Sequence, residues 1–205
     1  MRYYQIIEAD EPDRLARARS LGFDINEPVY HGTTAGEFPV FKKRYRPGEQ
    51  LGFGIHVTPD RSFAERYAND PLTARRGKAP HVFSGFLRKG RVLVADAIVK
   101  DGSPEFALAK RLAGGRLMTQ KDENGVATAY MQNAIDSTSP KRAESLIRAA
   151  GYDTVRYNAS IRRRAVSGFY RGQDAVTYIV LDPAALRRSE AAFDADQVNN
   201  DDLMA

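Results

Sequence analysis

The segment Pro28–Ala68 constrains this chain more than any other. Two short apolar runs in it carry the histidines His31 and His56, and a loop of about twenty residues separates them. Gly32 follows the first histidine, and Gly54 stands two residues before the second. Glycine lets a main chain come close to its surroundings where a side chain would block the approach. The segment therefore predicts two short strands, with the main chain close to its surroundings at the glycines beside each histidine.

A helix is predicted directly after the second run. Thr58 is a residue type that caps helix N-termini, and Pro59 suits the first helical position. Phe63 and Tyr67 are four residues apart, so they share one helix face. The helix should therefore carry both aromatic rings on the same side.

The rest of the chain mixes short strands with helices and contains no repeat. The predicted helices cover 12–21, 104–112, 126–135 and 139–150, and the predicted strands cover 81–89, 91–95, 153–157 and 175–181. Few strand–helix–strand units occur, which favours an α+β domain around a mostly antiparallel sheet.

Length and composition set the boundaries of that domain. A chain of 205 residues fits one domain, expected here over 1–190 with a helical insertion around 98–138. The residues 191–205 hold four aspartates and no Lys or Arg after position 193, which predicts a flexible acidic tail. No apolar run approaches the roughly 20 residues of a membrane span, and no secretory signal begins the chain. A cytoplasmic protein without a membrane partner is expected.

The residue types exclude several chemistries. The chain has no cysteine, which excludes disulfides, thiolate catalysis and cysteine-based zinc sites. The histidines at 31, 56 and 81 lack the i, i+4 spacing and nearby carboxylates of a metal site, so no metal is expected. The net charge of +5 fits ordinary solubility, or a polyanionic partner such as a nucleotide or nucleic acid.

The order of these motifs resembles the ADP-ribosyltransferase superfamily, in the branch of poly-ADP-ribose polymerases and diphtheria toxin. That family has a His-Gly-Ser/Thr strand, a Gly-x-Gly-Ile-Tyr-Phe strand, a helix ending in a tyrosine and a late strand with a glutamate. This chain has His-Gly-Thr at 31–33, Gly-Phe-Gly-Ile-His-Val at 52–57 and Tyr67. The run ARSLGFDINEPVYHGTT from Ala18 is similar to phage and prophage members found in large polyvalent proteins, some of them toxins or effectors.

The resemblance implies a split antiparallel sheet and NAD as co-substrate. The main chain of Gly32 would offer a donor and an acceptor to the nicotinamide carboxamide, and His31 would contact the ribose hydroxyls. Tyr67, eleven residues after His56, would stack on the nicotinamide ring, and Ala64 would leave room beside it. The implied NAD-binding residues are His31, Gly32, Thr33, Gly54, Ala64 and Tyr67.

Two positions depart from the family pattern. His56 replaces the second-motif tyrosine, and Thr177 stands where the late strand has its glutamate. The implied catalytic residues are therefore His31, His56 and Thr177. This combination is similar to the branch of the tRNA 2′-phosphotransferases, which use NAD to remove a 2′-phosphate from RNA and bind it with arginines.

Polar residues before the late strand extend the candidate site. The residues Arg162, Arg163 and Arg164 fit phosphate or acceptor binding, or a solvated loop. Gln173 and Asp174 could supply the missing polar group, although Asp174 could equally begin the strand.

The resemblance implies an NAD-dependent ADP-ribosyltransferase that cleaves the nicotinamide glycosidic bond and modifies a macromolecular acceptor, protein or nucleic acid. A carboxylate near the ribose assists such a reaction, because its transition state is oxocarbenium-like. Because the glutamate is replaced, three alternatives stay open. They are an RNA 2′-phosphotransferase, an NAD glycohydrolase and a catalytically degenerate protein that binds NAD or another nucleotide.

Overall fold

The computed structural model describes residues 11–41, 45, 51–69, 79–160 and 174–204, with the side chains of 160 and 174 left out. Within these ranges the helices are α1 Glu11–Ser20, α2 Arg61–Ala68, α3 Pro104–Leu112, α4 Met131–Asp136 and α5 Pro140–Ala149. The strands are β1 Val29–Thr33, β2 Ile55–Val57, β3 His81–Leu87, β4 Val92–Val94, β5 Ile98–Lys100, β6 Gln120–Lys121, β7 Ala127–Tyr130, β8 Thr154–Ser160, β9 Asp174–Val180 and β10 Leu186–Arg188.

These strands form three sheets. The first sheet has the order β1-β3-β10 and the second the order β2-β9-β8-β4, while β5-β7-β6 form a small third sheet. All pairs of neighbouring strands are antiparallel except β4 with β8. The predicted α+β class with mostly antiparallel sheets is confirmed.

The first and second sheets touch where β1 meets β2. Tyr30 and Thr58 exchange two main-chain hydrogen bonds of 2.7 and 3.0 Å, and this bridge is isolated. In a continuing antiparallel ladder the next hydrogen-bonded pair would be Gly32 with His56. That pair does not form, so the two strands diverge beyond Tyr30. The place where the two strands part, between Gly32 and His56, is called the split below.

The core lies on both faces of the second sheet. Successive side chains of a strand point to opposite faces. Ile179 of β9 packs with α3, α4 and α5 on one face, whereas Tyr178 and Val180 pack against the first sheet on the other. Because β9 is covered on both faces, its sequence is almost continuously apolar rather than alternating.

Helix α2 begins two residues later than the sequence predicts. The cap is Asp60, whose carboxylate accepts from the Phe63 N–H. The hydroxyl of Thr58 is used elsewhere, since it donates to the Val176 carbonyl on β9 and accepts from the Asp60 N–H. The predicted cap at Thr58 is therefore wrong: Asp60 accepts from the first turn of α2, and the cross-strand bond to β9 holds the Thr58 side chain toward the sheet.

The buried face of α2 packs directly on β1. Ala64 and Ala68 are buried there, and a Cβ added to Gly32 would overlap the Ala64 carbonyl oxygen. Small residues on both elements thus allow the two main chains to touch.

The segment 98–138 contains strands as well as helices. The helix predicted over 126–135 is wrong in its first half, where β7 lies between β5 and β6 and only then continues as α4. A run of alanines with Thr128 has no decisive periodicity of its own. Pairing with two neighbouring strands makes it extended.

The C-terminal segment is anchored by a buried arginine. Arg187 is 1% exposed, and among the described residues its guanidinium donates to the main-chain carbonyls of 184, 186, 197, 198 and 200. Leu203 is buried in the core between the sheets, and its N–H donates to the Pro39 carbonyl. Across the described ranges, every helix is too short or too polar to traverse a bilayer.

Replacing Gly32 with alanine should lower the free energy of unfolding by about 2–3 kcal/mol, because the new methyl group meets main chain that cannot move away freely. Urea denaturation measures the effect. Gly102 (φ +89°) is the control, since a Cβ there has open space around it and should cost about 1 kcal/mol through its backbone conformation alone. Equal losses in the two variants would contradict the close packing of α2 on β1.

Candidate functional site

The main chain of Gly32 faces the split. The N–H and C=O groups of Tyr30 bond to Thr58 and so point away from β3. Ser84, the β3 partner of Tyr30, uses its carbonyl on the far side of β3, where it accepts from Ser189. Because these directions alternate along a strand, the N–H and C=O of Gly32 point the same way as those of Tyr30. One donor and one acceptor of this buried residue are thus directed toward the split.

His31 spans the split with its side chain. Its Nδ1 lies 2.7 Å from the main-chain oxygen of His56. A carbonyl only accepts, so Nδ1 carries the hydrogen and donates it. The His56 carbonyl thus accepts from His31, whereas in a regular ladder it would accept from the Gly32 N–H. The bond joins β2 to β1, and the Gly32 main chain does not pair with β2.

Aromatic rings fix the orientation of His31. The rings of Phe38, Phe41 and Phe83 surround the imidazole, and that of Phe41 lies 4.8 Å away and nearly perpendicular. Such edge-to-face contacts are favourable and directional. His31 is therefore held in one rotamer at the wall of the split, whereas the predicted partner Thr177 lies deeper in the second sheet.

His56 contacts protein groups through both ring nitrogens. Nε2 lies 3.1 Å from the Leu51 carbonyl, so Nε2 carries a hydrogen. Nδ1 lies 3.1 Å from the hydroxyl of Tyr157, which donates to it when the ring is neutral. His56 thus joins β8 to Leu51, four residues before the start of β2.

Tyr157 links His56 to Thr177. Tyr157 and Thr177 are direct cross-strand partners of β8 and β9, and Thr177 is only 3% exposed. The Thr177 hydroxyl donates to the Ala175 carbonyl at 3.5 Å and lies close enough to the Tyr157 oxygen to affect the pKa of Tyr157. Burial raises the pKa of Tyr157 far above its usual value, and Tyr67 and Asp136 add to the rise, whereas the Thr177 hydroxyl opposes it.

A carboxylate lies at the other end of this network. Asp136 ends α4. The residue as a whole is exposed, yet packing around its carboxyl group removes enough water to raise its pKa, whereas the nearby Leu51 N–H and Gln132 side chain act to lower it. Leu51 is buried with a φ of 49°, a left-handed conformation that is costly for a leucine.

These contacts form one chain of hydrogen bonds, here called the polar chain. It runs from Tyr157 to His56 and on to Leu51. Thr177 lies beside Tyr157 on the paired strand, and Asp136 lies near Leu51. The structure thus brings the predicted residues His56 and Thr177 together, but through Tyr157 rather than directly. Tyr157 and Asp136 are missing from the sequence-based site. An alternating strand pattern could have placed Tyr157 on the His56 face, but no local signal indicates Asp136.

The ring of Tyr67 is 42% exposed in the last turn of α2. Phe63, four residues earlier, packs on the core beside the polar chain, so both rings lie on the predicted common face. The hydroxyl of Tyr67 is close enough to Tyr157 to raise the pKa of the latter. An aromatic ring therefore stands partly in solvent beside the polar chain.

The remaining predicted NAD-binding residues have packing contacts in this structure. Ala64 meets Gly32, and a Cβ on Gly54 (φ +70°) would overlap Ile179 of β9. Thr33 is buried, and its hydroxyl accepts from the Ala35 N–H. These residues shape the wall of the split.

The predicted acceptor or phosphate contacts fall largely outside the described residues. Arg162, Arg163, Arg164 and Gln173 lie in the segment 161–173, which is not described. Asp174 is the first residue of β9, opposite Ser160 of β8. Its main chain begins the strand, and its side chain is outside the described part.

No family model, no curated protein and no solved structure matches this chain.

Replacing Tyr157 with phenylalanine should lower the free energy of unfolding by about 2 kcal/mol, because it removes the hydroxyl that partners His56 Nδ1 and the Thr177 hydroxyl. Tyr130→Phe is the control, since that side chain is 47% exposed. A loss no larger than the control's would contradict the polar chain.

The same pair of variants tests alkaline stability. The folded pKa of Tyr157 is raised, so its stabilising effect is complete below the unfolded value of about 10 and is lost as the pH rises above it. Between about pH 9 and pH 11, a range centred on the pKa of tyrosine in the unfolded chain, the free energy of unfolding of wild-type protein should therefore fall more than that of Tyr157→Phe. Urea denaturation across that range measures the difference, and parallel declines would contradict the raised pKa.

Proposed function

We propose that this chain is an NAD-dependent ADP-ribosyltransferase of the superfamily that its motifs resemble, and that the nicotinamide binds in the split. The observation that carries the proposal is the orientation of the Gly32 N–H and C=O groups toward the place where β1 and β2 part. A carboxamide has one acceptor and one donor side by side, and one residue of strand edge offers the complementary pair.

Tyr67 supplies the second half of the ring site. It lies on α2, the helix that packs on Gly32, so the ring and the strand edge belong to one rigid unit. A partly exposed tyrosine loses little on binding an aromatic ligand and gains a stacking contact. Nicotinamide is held by its carboxamide at Gly32 and by its ring face at Tyr67.

The proposed reaction breaks the bond between the nicotinamide nitrogen and C1′ of the ribose. The bonding electron pair leaves with nicotinamide, positive charge develops on the ribose, and a nucleophile of the acceptor forms the new bond at C1′ and loses its proton. His31 holds the wall of the split, and His56 positions Tyr157 and Leu51 rather than carrying charge itself. Positioning and electrostatics supply such catalysis.

The direct test incubates the full chain with NAD labelled in its adenine, together with cell protein or nucleic acid. Nicotinamide release with label transfer is the expected result, lost in His31→Ala. A protein that neither binds NAD nor releases nicotinamide would overturn the proposal. Release without transfer would indicate an NAD glycohydrolase, and loss of phosphate from a 2′-phosphorylated oligonucleotide would indicate the phosphotransferase.

A second outcome has a specific structural basis. Thr177 is buried and uncharged at the position where the resemblance expects a glutamate. A protein lacking any acid in its site would bind NAD without turnover. Calorimetric binding of NAD with no nicotinamide release would therefore identify a degenerate NAD-binding protein.

Tyr67→Ala should weaken NAD binding about tenfold, because an aromatic stacking contact contributes about 1–1.5 kcal/mol. Tyr67→Phe should bind NAD like wild type, since it keeps the ring. Tyr130→Ala is a matched control, because that tyrosine is 47% exposed on the small sheet. Calorimetry measures the three affinities, and unchanged binding by Tyr67→Ala would contradict the stacking role.

A further inference from the structure

The loop after β1 carries two of the three phenylalanine rings that surround His31. Phe38 and Phe41 lie 6.4 and 4.8 Å from the imidazole, measured between ring centroids, and 4.9 Å from each other. Strand β1 ends at Thr33, so the pairing of β1 with β3 does not place either ring. The orientation of His31 therefore depends on what holds the main chain of residues 37–41.

The C-terminal segment holds that loop. The Leu203 N–H donates to the Pro39 carbonyl at 3.1 Å, which places Val40 opposite Asp202 in an isolated antiparallel bridge. The Leu203 carbonyl accepts from the Arg188 N–H of β10 at 2.9 Å. The main chain of this one residue thus joins the loop to the edge of the first sheet.

The side chain of Leu203 also belongs to the surroundings of His31. It is 1% exposed and lies in the core between the two sheets, together with Phe41 and Phe83. Leu203, His31 and Phe41 line the same small cavity. Protein interiors are closely packed, so a side chain that fills this place leaves the neighbouring rings little freedom to move.

A buried arginine fixes the C-terminal segment itself. The guanidinium of Arg187 donates to the carbonyls of Gln197, Val198 and Asn200 at distances of 2.5 to 3.3 Å. Hydrogen bonds from a charged donor are stronger than those between neutral groups. The last of these carbonyls is three residues before Leu203, so the bonds of Arg187 determine where Leu203 enters the core.

An exposed ion pair is a second link between the loop and β10. Arg188 Nη1 lies 2.6 Å from Glu37 Oε1, but the Glu37 side chain is 61% exposed. Ion pairs in contact with water contribute little to stability. The loss of the buried Leu203 side chain should therefore release the loop, whereas the loss of the ion pair should not.

We propose that Leu203 is a positioning residue of the candidate active site, which holds the 37–41 loop and through it the imidazole of His31. This inference rests on the proposed function. The bond from His31 to the His56 carbonyl joins β1 to β2 at the split. An imidazole that rotates away loses this bond, and the distance between the Gly32 main chain and β2 is then no longer fixed. Leu203 contacts no substrate in this role.

A purely structural role for Leu203 is the alternative, because truncating a buried leucine lowers stability wherever it lies. Leu112 of α3 provides the matched control. It is also 1% exposed, and it belongs to the core on the opposite face of the second sheet. Leu203→Ala and Leu112→Ala remove the same atoms, but only the first removes them beside His31. Leu203→Met keeps the volume of the side chain and is the conservative variant.

The experiment measures nicotinamide release from NAD by wild-type protein and these three variants, each at a temperature where its melting curve shows it folded. A misplaced reacting group lowers the rate steeply, so kcat of Leu203→Ala should fall at least about tenfold. Leu203→Met and Leu112→Ala should stay within about twofold of wild type. Leu203→Val with Leu112→Val, a smaller truncation, replaces the alanine pair if Leu203→Ala does not fold.

Hydrogen exchange measured by nuclear magnetic resonance reports on the bond itself. The Nδ1–H proton of His31 donates to the His56 carbonyl, so it should exchange slowly in wild-type protein and in Leu112→Ala. In Leu203→Ala it should exchange at least about tenfold faster than the global unfolding of that variant accounts for. A merely structural role would not produce this local difference, and the measurement does not depend on turnover.

Each outcome decides a separate question. Wild-type kcat and a protected His31 proton in Leu203→Ala overturn the positioning role and leave the proposed function intact. Equal losses of kcat in Leu203→Ala and Leu112→Ala also overturn it, in favour of a general effect on stability. Wild-type protein that neither binds NAD nor releases nicotinamide overturns the proposed function, whereas the exchange of the His31 proton still supports or overturns positioning by Leu203.

Discussion

The divergence of β1 from β2 beyond the Tyr30–Thr58 bridge is the constraint on which the rest of the structure depends. A continuous ladder would consume the N–H and C=O groups of Gly32 in pairing with His56. Instead the His31 imidazole donates to the His56 carbonyl, and the rings of three phenylalanines surround that imidazole. The pairing of β1 with β2 is thereby interrupted at one point, where the His31 bond still joins the two strands. Helix α2 packs against this edge because Gly32 has no side chain.

The opened edge is backed by a buried polar network. Buried hydroxyls and imidazoles cost free energy unless each finds a partner, and here Thr177, Tyr157 and His56 satisfy one another in sequence. The network ends at Leu51, whose strained backbone is held between His56 and Asp136. It therefore connects the interior of the second sheet with the segment before β2, and burial raises the pKa of Tyr157 within it.

Much of the local structure was predictable. α1, α3 and α5, and the strands around Val92 and Ile179, follow from caps, prolines and apolar runs whose information is local. The errors have a common origin in distant partners. Thr58 does not cap α2 because β9 takes its hydroxyl, and the first half of 126–135 is extended because β5 and β6 lie beside it. In both cases tertiary hydrogen bonds override a local preference.

The sequence by itself determined the α+β class, the two histidine-bearing strands and the glycine at their approach. It also determined that the late strand carries Thr177 rather than an acid. Only the tertiary structure decided which polar groups meet. Tyr157 meets His56 because β8 and β2 both pair with β9 in a defined register. Asp136 lies about eighty residues after β2 in the chain. Register and docking depend on contacts between residues far apart in the chain, and residue type and spacing along one segment do not encode them.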